Sequence, residues 1–352
     1  MKKSVKVTGV REIARRANVS IATVDRVIHN RTGVSAKTRS KINLIIQQLN
    51  YQPNILASRL ASKRVFFIAV LIPGISVETL FWEVPLKGIE RATEEIKQYG
   101  IQLKPYFFDL NDKDSFTKQA GLILENKIDG VLLSPSFVEE SVVFIQACKA
   151  RNIPYVFIDS NIPGQGSLSY IGPHLFKSGY LGAKLLTYAL GEADKVLVVN
   201  ISKEIDGYIY LEIEKGFRAY FKEHQHMNGI IRTDIKHTDY QSIATSLSNT
   251  LNTHPDISAI FVTNSRVFSV ARFLEEKEKS KLLLVGYDLI GENIDYLKKG
   301  TIDFLICHKP EEQGYRGVMA FYQKLVMASS VEKVQYMPID IITRENYEFY
   351  HN

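Results

Sequence analysis

The chain has few of the features that mark secreted, membrane or metal-dependent proteins. Its 352 residues include two cysteines, Cys148 and Cys307, which stand alone without CxxC spacing. They exclude a disulfide framework and argue against a thiolate metal site. No stretch approaches the ~20 consecutive apolar residues of a membrane span, and the first residues lack an apolar run long enough for a signal peptide. We therefore expect a cytoplasmic protein with no membrane partner.

Sequence signatures of catalysis and of cofactor binding are also missing. The chain contains no G-x-G-x-x-G after a predicted strand, no Walker loop, no HExxH pair and no GxSxG nucleophile elbow. Its carboxylate pairs, such as Glu139 and Glu140, lie on predicted helix surfaces, where they are solvated. We therefore predict no enzymatic activity, no catalytic residue, no metal site and no cofactor.

Acidic residues are scarce in the first 64 positions, which gives the charge a pattern that the net value of +6 hides. That segment holds 14 Lys and Arg against only Glu12 and Asp25, whereas the remaining chain holds 30 basic and 36 acidic side chains. The protein is thus a head of charge +12 on a body of charge −6. A basic segment of this size indicates a polyanionic partner such as nucleic acid.

Three short helical patterns follow one another in the basic segment. The first runs from about Val10 to Ala17, the second from a Ser20 cap to about Ile28, and the third begins after a Ser35 cap. The third pattern has apolar residues at i, i+3, i+4 and i+7, which is one face of a helix. The first two, joined by a short turn, predict a helix-turn-helix, and the three together predict an all-α head over residues 1–52.

The second helix of such a unit lies in the major groove with its N-terminal residues towards the base edges. Here those residues are Ile21, Ala22 and Thr23, and Arg26 follows one turn later. Ile21 and Ala22 offer apolar contacts, for example to thymine methyl groups, whereas Arg26 suits a bidentate contact with guanine. Helix-turn-helix patterns also arise by chance in helical proteins, so the +12 charge and the segment that follows carry much of the interpretation.

That segment, residues 51–61, predicts a conditional helix. Pro53 ends the preceding helix, and Asn54 caps a new one. A helix of about eight residues is too short to be stable alone. We therefore predict a hinge helix and linker over residues 53–64 that folds only against another surface.

The stretch from Val7 to Ala61 resembles the head and hinge of LacI-family transcription regulators. It contains the blocks VS..TV.RV, VSAKTR and LNY.PN..A..L. The resemblance implies a homodimer on operator DNA, hinge helices that form on the operator, and a Leu60 side chain that wedges into the minor groove. Dimer packing of the two hinges is the other role open to Leu60. The candidate DNA-binding residues are Ser20, Ile21, Ala22, Thr23, Arg26, Asn30, Arg31, Ser35, Asn54 and Leu60.

One departure from the family pattern is Asp25, where most members have serine. A carboxylate beside DNA phosphates is unfavourable unless it is paired, and Arg26 and Arg31 are the candidate partners. Asp25 could instead accept a hydrogen bond from a cytosine amine. The sequence therefore predicts DNA binding but no particular operator sequence.

From Val65 onward, β-rich runs alternate with amphipathic helical stretches, which predicts an α/β body with parallel sheets and helices on both faces. About 290 residues would overfill one such sheet, so we expect two lobes. The body, residues 65–352, is similar to the type I periplasmic sugar-binding fold that LacI-family regulators carry as their sensor. The resemblance implies three crossings between lobes, with lobe one at about 65–161 and 291–322 and lobe two at about 162–290 and 323–352.

Several residues at predicted strand ends stand where this fold normally holds a sugar. Aromatic faces stack on the C–H surface of a sugar ring, and Phe81 and Trp82 follow the first strand, although core packing is the alternative role for them. Asp159, Asn264 and Asp288 each end a predicted strand and offer polar groups to a ring of hydroxyls. Strand-end Asp and Asn are also ordinary helix caps.

Two further positions concern the ligand. His308 follows the last predicted strand, where the family often has Gln, and either donates to a hydroxyl or lies on the surface. Many sugar-binding members carry an arginine shortly before the Gly-Phe of the second lobe, but residues 210–217 contain none. Either Arg266 or Tyr210 replaces that arginine, or the ligand differs. The predicted site suits a neutral polyol better than a phosphorylated sugar, which would require a cationic clamp.

These features predict a ligand-responsive, DNA-binding transcription regulator. We expect a repressor of carbohydrate-utilisation genes that binds a pseudo-palindromic operator as a homodimer and senses a small sugar or sugar-like effector. The alternative is a sugar-binding protein of transport or chemotaxis type without DNA function, which explains the body equally well but not the basic head. The identity of the effector, and whether it induces or co-represses, stays open.

Overall fold

The chain divides into two units, Met1–Ser62 and Lys63–Asn352. The computed structural model of the protein describes residues 9–28, 30–51, 64–76, 80–191, 193–205, 207–279 and 281–351. The predicted hinge helix, with Asn54 and Leu60, lies outside these described residues.

The first unit is a three-helix head made of α1 (Val10–Ala17), α2 (Ile21–Ile28) and α3 (Ala36–Gln48). These bounds agree with the helices predicted from the sequence. Each helix buries residues spaced three or four apart, because that spacing places them on one face. The buried cluster contains Ile13, Ala14, Ala17, Val24, Val27, Ile42 and Ile45.

The second unit is an α/β body of strands and helices in alternation. Its strands are β1 (Phe66–Pro73), β2 (Ile101–Phe108), β3 (Gly130–Leu133), β4 (Tyr155–Ile158), β5 (Ser169–Gly172), β6 (Lys195–Ile201), β7 (Ile230–Ile235), β8 (Ile257–Val262), β9 (Leu283–Tyr287), β10 (Phe304–Cys307), β11 (Val334–Tyr336) and β12 (Asp340–Ile342). Its helices are α4 (Glu83–Ile96), α5 (Lys113–Glu125), α6 (Val138–Ala150), α7 (Leu175–Thr187), α8 (Tyr208–Glu223), α9 (Tyr240–Thr253), α10 (Val267–Glu276), α11 (Gly291–Lys299) and α12 (Pro310–Phe321).

The strands form two sheets, ordered β11-β5-β4-β3-β1-β2 and β12-β10-β9-β8-β6-β7. Neighbouring strands are parallel except β12, which runs antiparallel to β10. Helices cover both faces of a parallel sheet, so its inner strands read as apolar runs; β1 is FFIAVLIP and almost wholly buried. No helix in the described part of the chain is long and apolar enough to cross a membrane.

The two sheets divide the body at positions that differ from the predicted lobes. β5 pairs with β4 in the first sheet, although residues 162–290 were predicted to belong to lobe two. β10 pairs with β9 in the second sheet, although residues 291–322 were predicted for lobe one. β11 also returns to the first sheet. These parts of the lobe prediction were wrong because long-range pairing decides which sheet β5, β10 and β11 join, and the local sequence pattern does not contain that pairing.

We call the first lobe the part built on the β1–β5 and β11 sheet, with α4, α5, α6 and α12. The second lobe is built on the other sheet, with α7 to α11. In each lobe two helices touch through glycine backbones. A Cβ atom at Gly88 of α4 or Gly314 of α12 would lie 1.8 Å or 2.1 Å from a carbonyl oxygen of the partner helix, and one at Gly179 of α7 or Gly216 of α8 would lie 1.9 Å away. Only glycine fits such an approach. Helix α12 therefore packs tightly against α4, and α7 packs tightly against α8.

Candidate nucleic-acid interface and ligand cavity

Helix α2 presents one face to the core of the head and the other to solvent. Val24 and Val27 are buried, whereas Ala22 and Arg26 are exposed and Ile21 is 50% exposed. The exposed isoleucine is not needed for the core of the head. A protruding helix N-terminus with an apolar group and an arginine one turn later matches the surface that enters a major groove.

The other described DNA-binding candidates organise the ends of the helices. Ser20 Oγ accepts from the backbone N–H of Thr23 at 3.1 Å and so caps α2, and Ser35 caps α3 in the same way. Asn30 adopts a left-handed backbone, with φ of 51°, and its side-chain oxygen accepts from Arg39 at 3.2 Å. The structure therefore brings Ile21, Ala22, Thr23 and Arg26 together on α2, with Ser20 capping that helix, and places Asn30, Arg31 and Ser35 in the connection to α3.

Asp25 has a cationic partner inside the head. Arg31 Nη1 lies 3.1 Å from Asp25 Oδ2, which is one of the two pairings considered from the sequence. Both side chains are about half exposed, so the pair adds little to folding stability. It does offset the negative charge that this carboxylate would otherwise bring to a surface facing DNA phosphates.

In the body, the residues that follow the carboxyl ends of the parallel strands surround one cavity of about 140 Å³. Open α/β sheets bind their ligands at this edge. The first lobe contributes residues after β1 to β4, and the second lobe contributes residues after β6, β8, β9 and β10. All six predicted ligand-binding residues line this cavity: Phe81, Trp82, Asp159, Asn264, Asp288 and His308.

Phe81 and Trp82 form an aromatic wall immediately before α4. Their ring centroids are 5.2 Å apart at an interplanar angle of 88°, an edge-to-face arrangement. Trp82 is only 3% exposed, so most of its ring packs against protein while the rest borders the cavity. Trp82 therefore packs in the core, one of the two roles considered from the sequence, and also borders the cavity; its contact with a ligand stays a prediction.

Asp159 and Asp288 stand at equivalent places, one after β4 and one after β9. Both have a left-handed backbone, with φ of 67° and 70°. This conformation is uncommon outside glycine, although Asp tolerates it better than most residues, and such positions cluster at functional sites. It turns the chain sharply at the end of each strand, and one carboxyl group from each lobe borders the cavity.

Burial controls the protonation of the cavity wall. Loss of hydration raises the pKa of Asp159 to about 7. The same effect, together with the nearby charge of Asp159, raises the pKa of Asp288 well above its usual range. Burial also lowers the pKa of His308 to about 3. In all three cases the low-dielectric surroundings favour the uncharged form.

His308 belongs to the interior and not to the surface, since it is 7% exposed. Its Nε2 atom lies 2.7 Å from Ser178 Oγ. The two candidates for replacing the missing arginine, Arg266 and Tyr210, also line the cavity. Arg266 Nη1 donates to the carbonyl of Ile201 at 3.2 Å, and the Asn264 side-chain amide donates to the hydroxyl of Tyr210 at 3.3 Å.

Two buried amides that the sequence analysis missed hold the strand ends in place. Gln313, 2% exposed on α12, accepts from the backbone N–H of Asp159 and donates to the carbonyl of His308, both at 2.9 Å. Asn293 on α11 is fully buried. Its Nδ2 lies 3.0, 3.0 and 2.8 Å from the carbonyls of Ser265, Tyr287 and Asp288, and its Oδ1 accepts from the N–H of Phe268 at 3.0 Å.

A signal for both amides exists in the sequence. Gln313 occupies the buried face of α12 together with Pro310, Gly314 and Gly317, and Asn293 is four residues before the buried Leu297. A polar residue in the apolar register of a helix must find partners inside the protein. That rule would have marked both positions as internal hydrogen-bonding residues.

Comparison with known families defines the class of protein. Residues 10–54 match the lacI family of bacterial regulatory proteins, and residues 68–327 match the periplasmic binding protein domain. The chain belongs to the lacI family of bacterial regulatory proteins and carries a periplasmic binding protein domain as its body. It is a DNA-binding transcription regulator, and the prediction of this function over a transport-type binding protein is confirmed. The family is regulatory rather than catalytic.

Individual relatives agree with this class. The ribose operon repressor of Halalkalibacterium halodurans is 27% identical over 292 residues, which are 80% of each chain. Catabolite control protein A of Staphylococcus xylosus is 28% identical over 194 residues, 52% of this chain and 56% of its own. A solved structure described as a LacI transcriptional regulator from Bacteroides fragilis is 30% identical, with a TM-score of 0.75, and covers 82% of this chain and 100% of its own. The glucose-galactose binding protein GanP of Geobacillus stearothermophilus shares the fold at 22% identity, with a TM-score of 0.72 over 81% of this chain and 99% of its own.

Proposed function

We propose that this regulator is a repressor of carbohydrate-utilisation genes, binds a pseudo-palindromic operator as a homodimer in the cytoplasm, and responds to a neutral monosaccharide. One observation carries the proposal: the six residues predicted from the sequence to bind a ligand line a single cavity in the body of a chain with a lacI-type head. A relative named ribose operon repressor supports the link to a sugar operon.

The chemistry of the cavity supports a neutral effector. Its wall combines the rings of Phe81 and Trp82 with the carboxyl groups of Asp159 and Asp288. Burial raises the pKa of both carboxyl groups, so this wall favours uncharged groups, and moving a phosphate from water into it without a cationic clamp is strongly unfavourable. Arg266 is the guanidinium among the lining residues, and it donates to a main-chain carbonyl. A neutral sugar ring with free hydroxyls forms hydrogen bonds with the same wall without the cost of burying a charge.

The proposed contacts with DNA follow from the exposed face of α2. Ile21, Ala22, Thr23 and Arg26 would meet base edges, and the remaining described candidates would fix the head on the sugar-phosphate backbone. Asn54 and Leu60, proposed for the hinge, lie outside the described residues. The effector must bind the two states of the protein with different affinities in order to change its affinity for the operator.

The DNA part is tested by fluorescence anisotropy with DNA from upstream of the protein's own gene, over a series of salt concentrations. We expect sequence-selective binding that weakens steeply with salt. Arg26→Ala should cost about 1 to 3 kcal/mol and relax the preference for one base pair. Arg15→Ala is the matched control, because Arg15 is exposed on α1 and paired with Glu12. Binding without sequence preference would contradict the proposal.

The effector part is tested by thermal unfolding and by release of DNA, using D-ribose, D-arabinose, D-glucose, D-galactose, D-allose, D-fucose and D-tagatose with their phosphates. A sugar that binds should raise the melting temperature, because it stabilises the folded state by mass action. Asp159→Ala, Asp288→Ala and Trp82→Ala should abolish the shift, and Asp295→Ala, on the exposed side of α11, should retain it. A larger shift with a sugar phosphate, or an intact shift in the three variants, would contradict the proposed effector and site.

A further inference from the structure

A chain of three side chains stands at the second-lobe wall of the cavity. Ser178 of α7 places its Oγ 2.7 Å from His308 Nε2 and donates a hydrogen bond to the hydroxyl of Tyr287 at 3.1 Å. Ser178 is completely buried, and His308 and Tyr287 are 7% and 3% exposed. Tyr287 and His308 line the cavity, and Ser178 lies behind them.

The number of protons available to these three hydrogen-bonded side chains determines which tautomer the imidazole of His308 adopts. A serine hydroxyl carries one proton, and Ser178 uses it to donate the hydrogen bond to the hydroxyl of Tyr287. The short contact between Ser178 and His308 then requires a proton on Nε2 of the ring. A neutral imidazole has only one N–H, so its Nδ1 atom carries no proton and accepts hydrogen bonds. Burial keeps the ring neutral at pH 7, because it lowers the pKa of His308 to about 3.

We propose that Ser178 fixes the tautomer of His308 and thereby makes this histidine an acceptor towards the effector. The site then requires a hydroxyl proton at the ring position that faces Nδ1, and it rejects a sugar that has an ether, a carbonyl or a fluorine there. This inference rests on the proposed function in assuming that the effector is a sugar. It reverses the expectation from the sequence that His308 donates to a hydroxyl.

The position differs chemically from the Gln that the family often has there. A glutamine amide offers an oxygen and an NH2 group and can rotate to present either one. A histidine whose Nε2 is committed to Ser178 has a single remaining polar atom of fixed character. Ser178 is therefore a positioning residue that determines specificity without touching the ligand.

The first experiment needs no ligand. Nitrogen-15 spectra of the histidine side chains are recorded on the full-length protein at pH 7, and His308 is assigned by its absence in His308→Gln. We expect a neutral ring protonated on Nε2. Ser178→Ala should shift the ring towards the other tautomer or a mixture, whereas Ser141→Ala, which changes a buried serine of α6 away from the cavity, should leave it unchanged. A wild-type ring protonated on Nδ1, or on both nitrogens, overturns the inference.

The second experiment tests specificity with deoxyfluoro analogues of whichever sugar in the panel binds the protein. Fluorine is small and cannot donate a hydrogen bond, so each analogue removes one hydroxyl proton. At one ring position, wild-type affinity should fall about ten- to one-hundredfold, the cost of facing an acceptor with no donor. His308→Gln and Ser178→Ala should lose much less at that position, and Ser141→Ala should behave as wild type in calorimetry.

The two experiments separate this inference from the proposed function. If no sugar binds, the proposed effector is wrong, and the nitrogen-15 spectra alone decide the tautomer. If a sugar binds but its analogues lose equal affinity in the wild type and in His308→Gln, the inferred specificity is wrong while the proposed function stands. Melting temperatures of the variants show that each remains folded.

Discussion

The two lobes border the same cavity with different chemistry. The second lobe supplies most of the polar groups, among them Asn264, Asp288 and His308, whereas the first lobe supplies the rings of Phe81 and Trp82 with a single carboxyl group. The second lobe is therefore suited to recognise hydroxyls, and the first to cover the apolar face of a sugar ring. We expect an effector to contact the second lobe first and to recruit the first lobe afterwards.

The lobes also differ in how they hold their aspartates. Asp288 is fixed within its own lobe, since Asn293 bonds to four backbone groups of the second lobe. Asp159 is fixed by Gln313, which at the same time bonds to the carbonyl of His308 at the end of a second-lobe strand. Asn293 thus holds Asp288 from within the second lobe, whereas the two hydrogen bonds of Gln313 tie Asp159 to the end of the second-lobe strand β10.

The largest expected effects test what the lobes share, their glycine-packed helix pairs. Gly88→Ala in the first lobe and Gly216→Ala in the second should each lower the free energy of unfolding by about 3 kcal/mol or more, because the added Cβ meets rigid backbone. Urea unfolding measures both. Gly121→Ala in α5 is the control; nothing lies within 4 Å of its Cβ position, and it should stabilise the helix by up to about 1 kcal/mol.

Equal losses in the two lobes would confirm that both helix pairs are packed in the same way. A loss confined to one lobe would show that the other helix pair can move apart without cost. In that case the lobe that tolerates alanine is the more deformable one, and the two lobes differ in rigidity as well as in the chemistry of their cavity walls.

The next effects test the difference between the two amides. Asn293→Ala should cost about 3 kcal/mol of stability, because it leaves several buried backbone groups without partners. Gln313→Ala leaves two such groups and should cost less, about 2 kcal/mol, but should weaken effector binding more for each kcal/mol lost. Chemical unfolding and calorimetry measure the two quantities, and Gln241→Ala on the exposed side of α9 is the control. A Gln313 variant with unchanged effector affinity would contradict the dependence of Asp159 on that amide.

Much of this architecture can be predicted from the sequence because local signals specify it. Ser20 and Ser35 cap α2 and α3 as expected, and long apolar runs such as β1 identify the inner strands. The convergence of the candidate residues on one cavity was predictable for a related reason: parallel strands end at a common edge, so polar residues at strand ends meet there.

The rest depends on long-range contacts that local patterns do not contain. β5, β11 and β12 are three or four residues long, and β7 is an edge strand with mixed burial, so none of them was predicted. The predicted lobe boundaries were wrong at β5, β10 and β11. The hydrogen bonds of Gln313 to residues 159 and 308 depend on the tertiary fold, although the apolar register of α12 marks this glutamine as buried.

The dependence of stability on pH tests the carboxyl group that each lobe contributes. The pKa of Asp159 is raised from 3.8 to about 7, so the folded state binds more protons than the unfolded state between those values. The stabilisation from this protonated group is complete below about pH 4 and is lost as the pH rises towards about 7. Asp159→Asn should therefore flatten the fall in melting temperature between about pH 4 and pH 7.

Asp288→Asn should flatten the same curve, and Asp159→Asn should also lower the pKa of Asp288, since the charge of Asp159 helps to raise it. Asp295→Asn on the exposed side of α11 is the control and should follow the wild type. A histidine pKa lowered from 6.5 to about 3 makes the folded state lose stability as the pH falls below about 6.5. His308→Gln should therefore reduce the loss of melting temperature on acidification below about pH 6.5. Identical curves for the wild type and Asp159→Asn would show that this carboxyl group is hydrated.

The smallest effect concerns the contact between the lobes at the edge opposite the crossing segments. Lys203, after β6, donates to the carbonyl of Asn111, after β2, at 2.9 Å. Both strands lie at the far side of their sheets from β5, β10 and β11, where the chain crosses. Lys203 is exposed, so Lys203→Ala should weaken effector binding only two- to threefold, about 0.5 kcal/mol, and Lys236→Ala, an exposed lysine after β7, should leave it unchanged. A loss above tenfold in calorimetry would mean that this single contact, and not the aromatic wall of the first lobe, controls how that lobe joins the second.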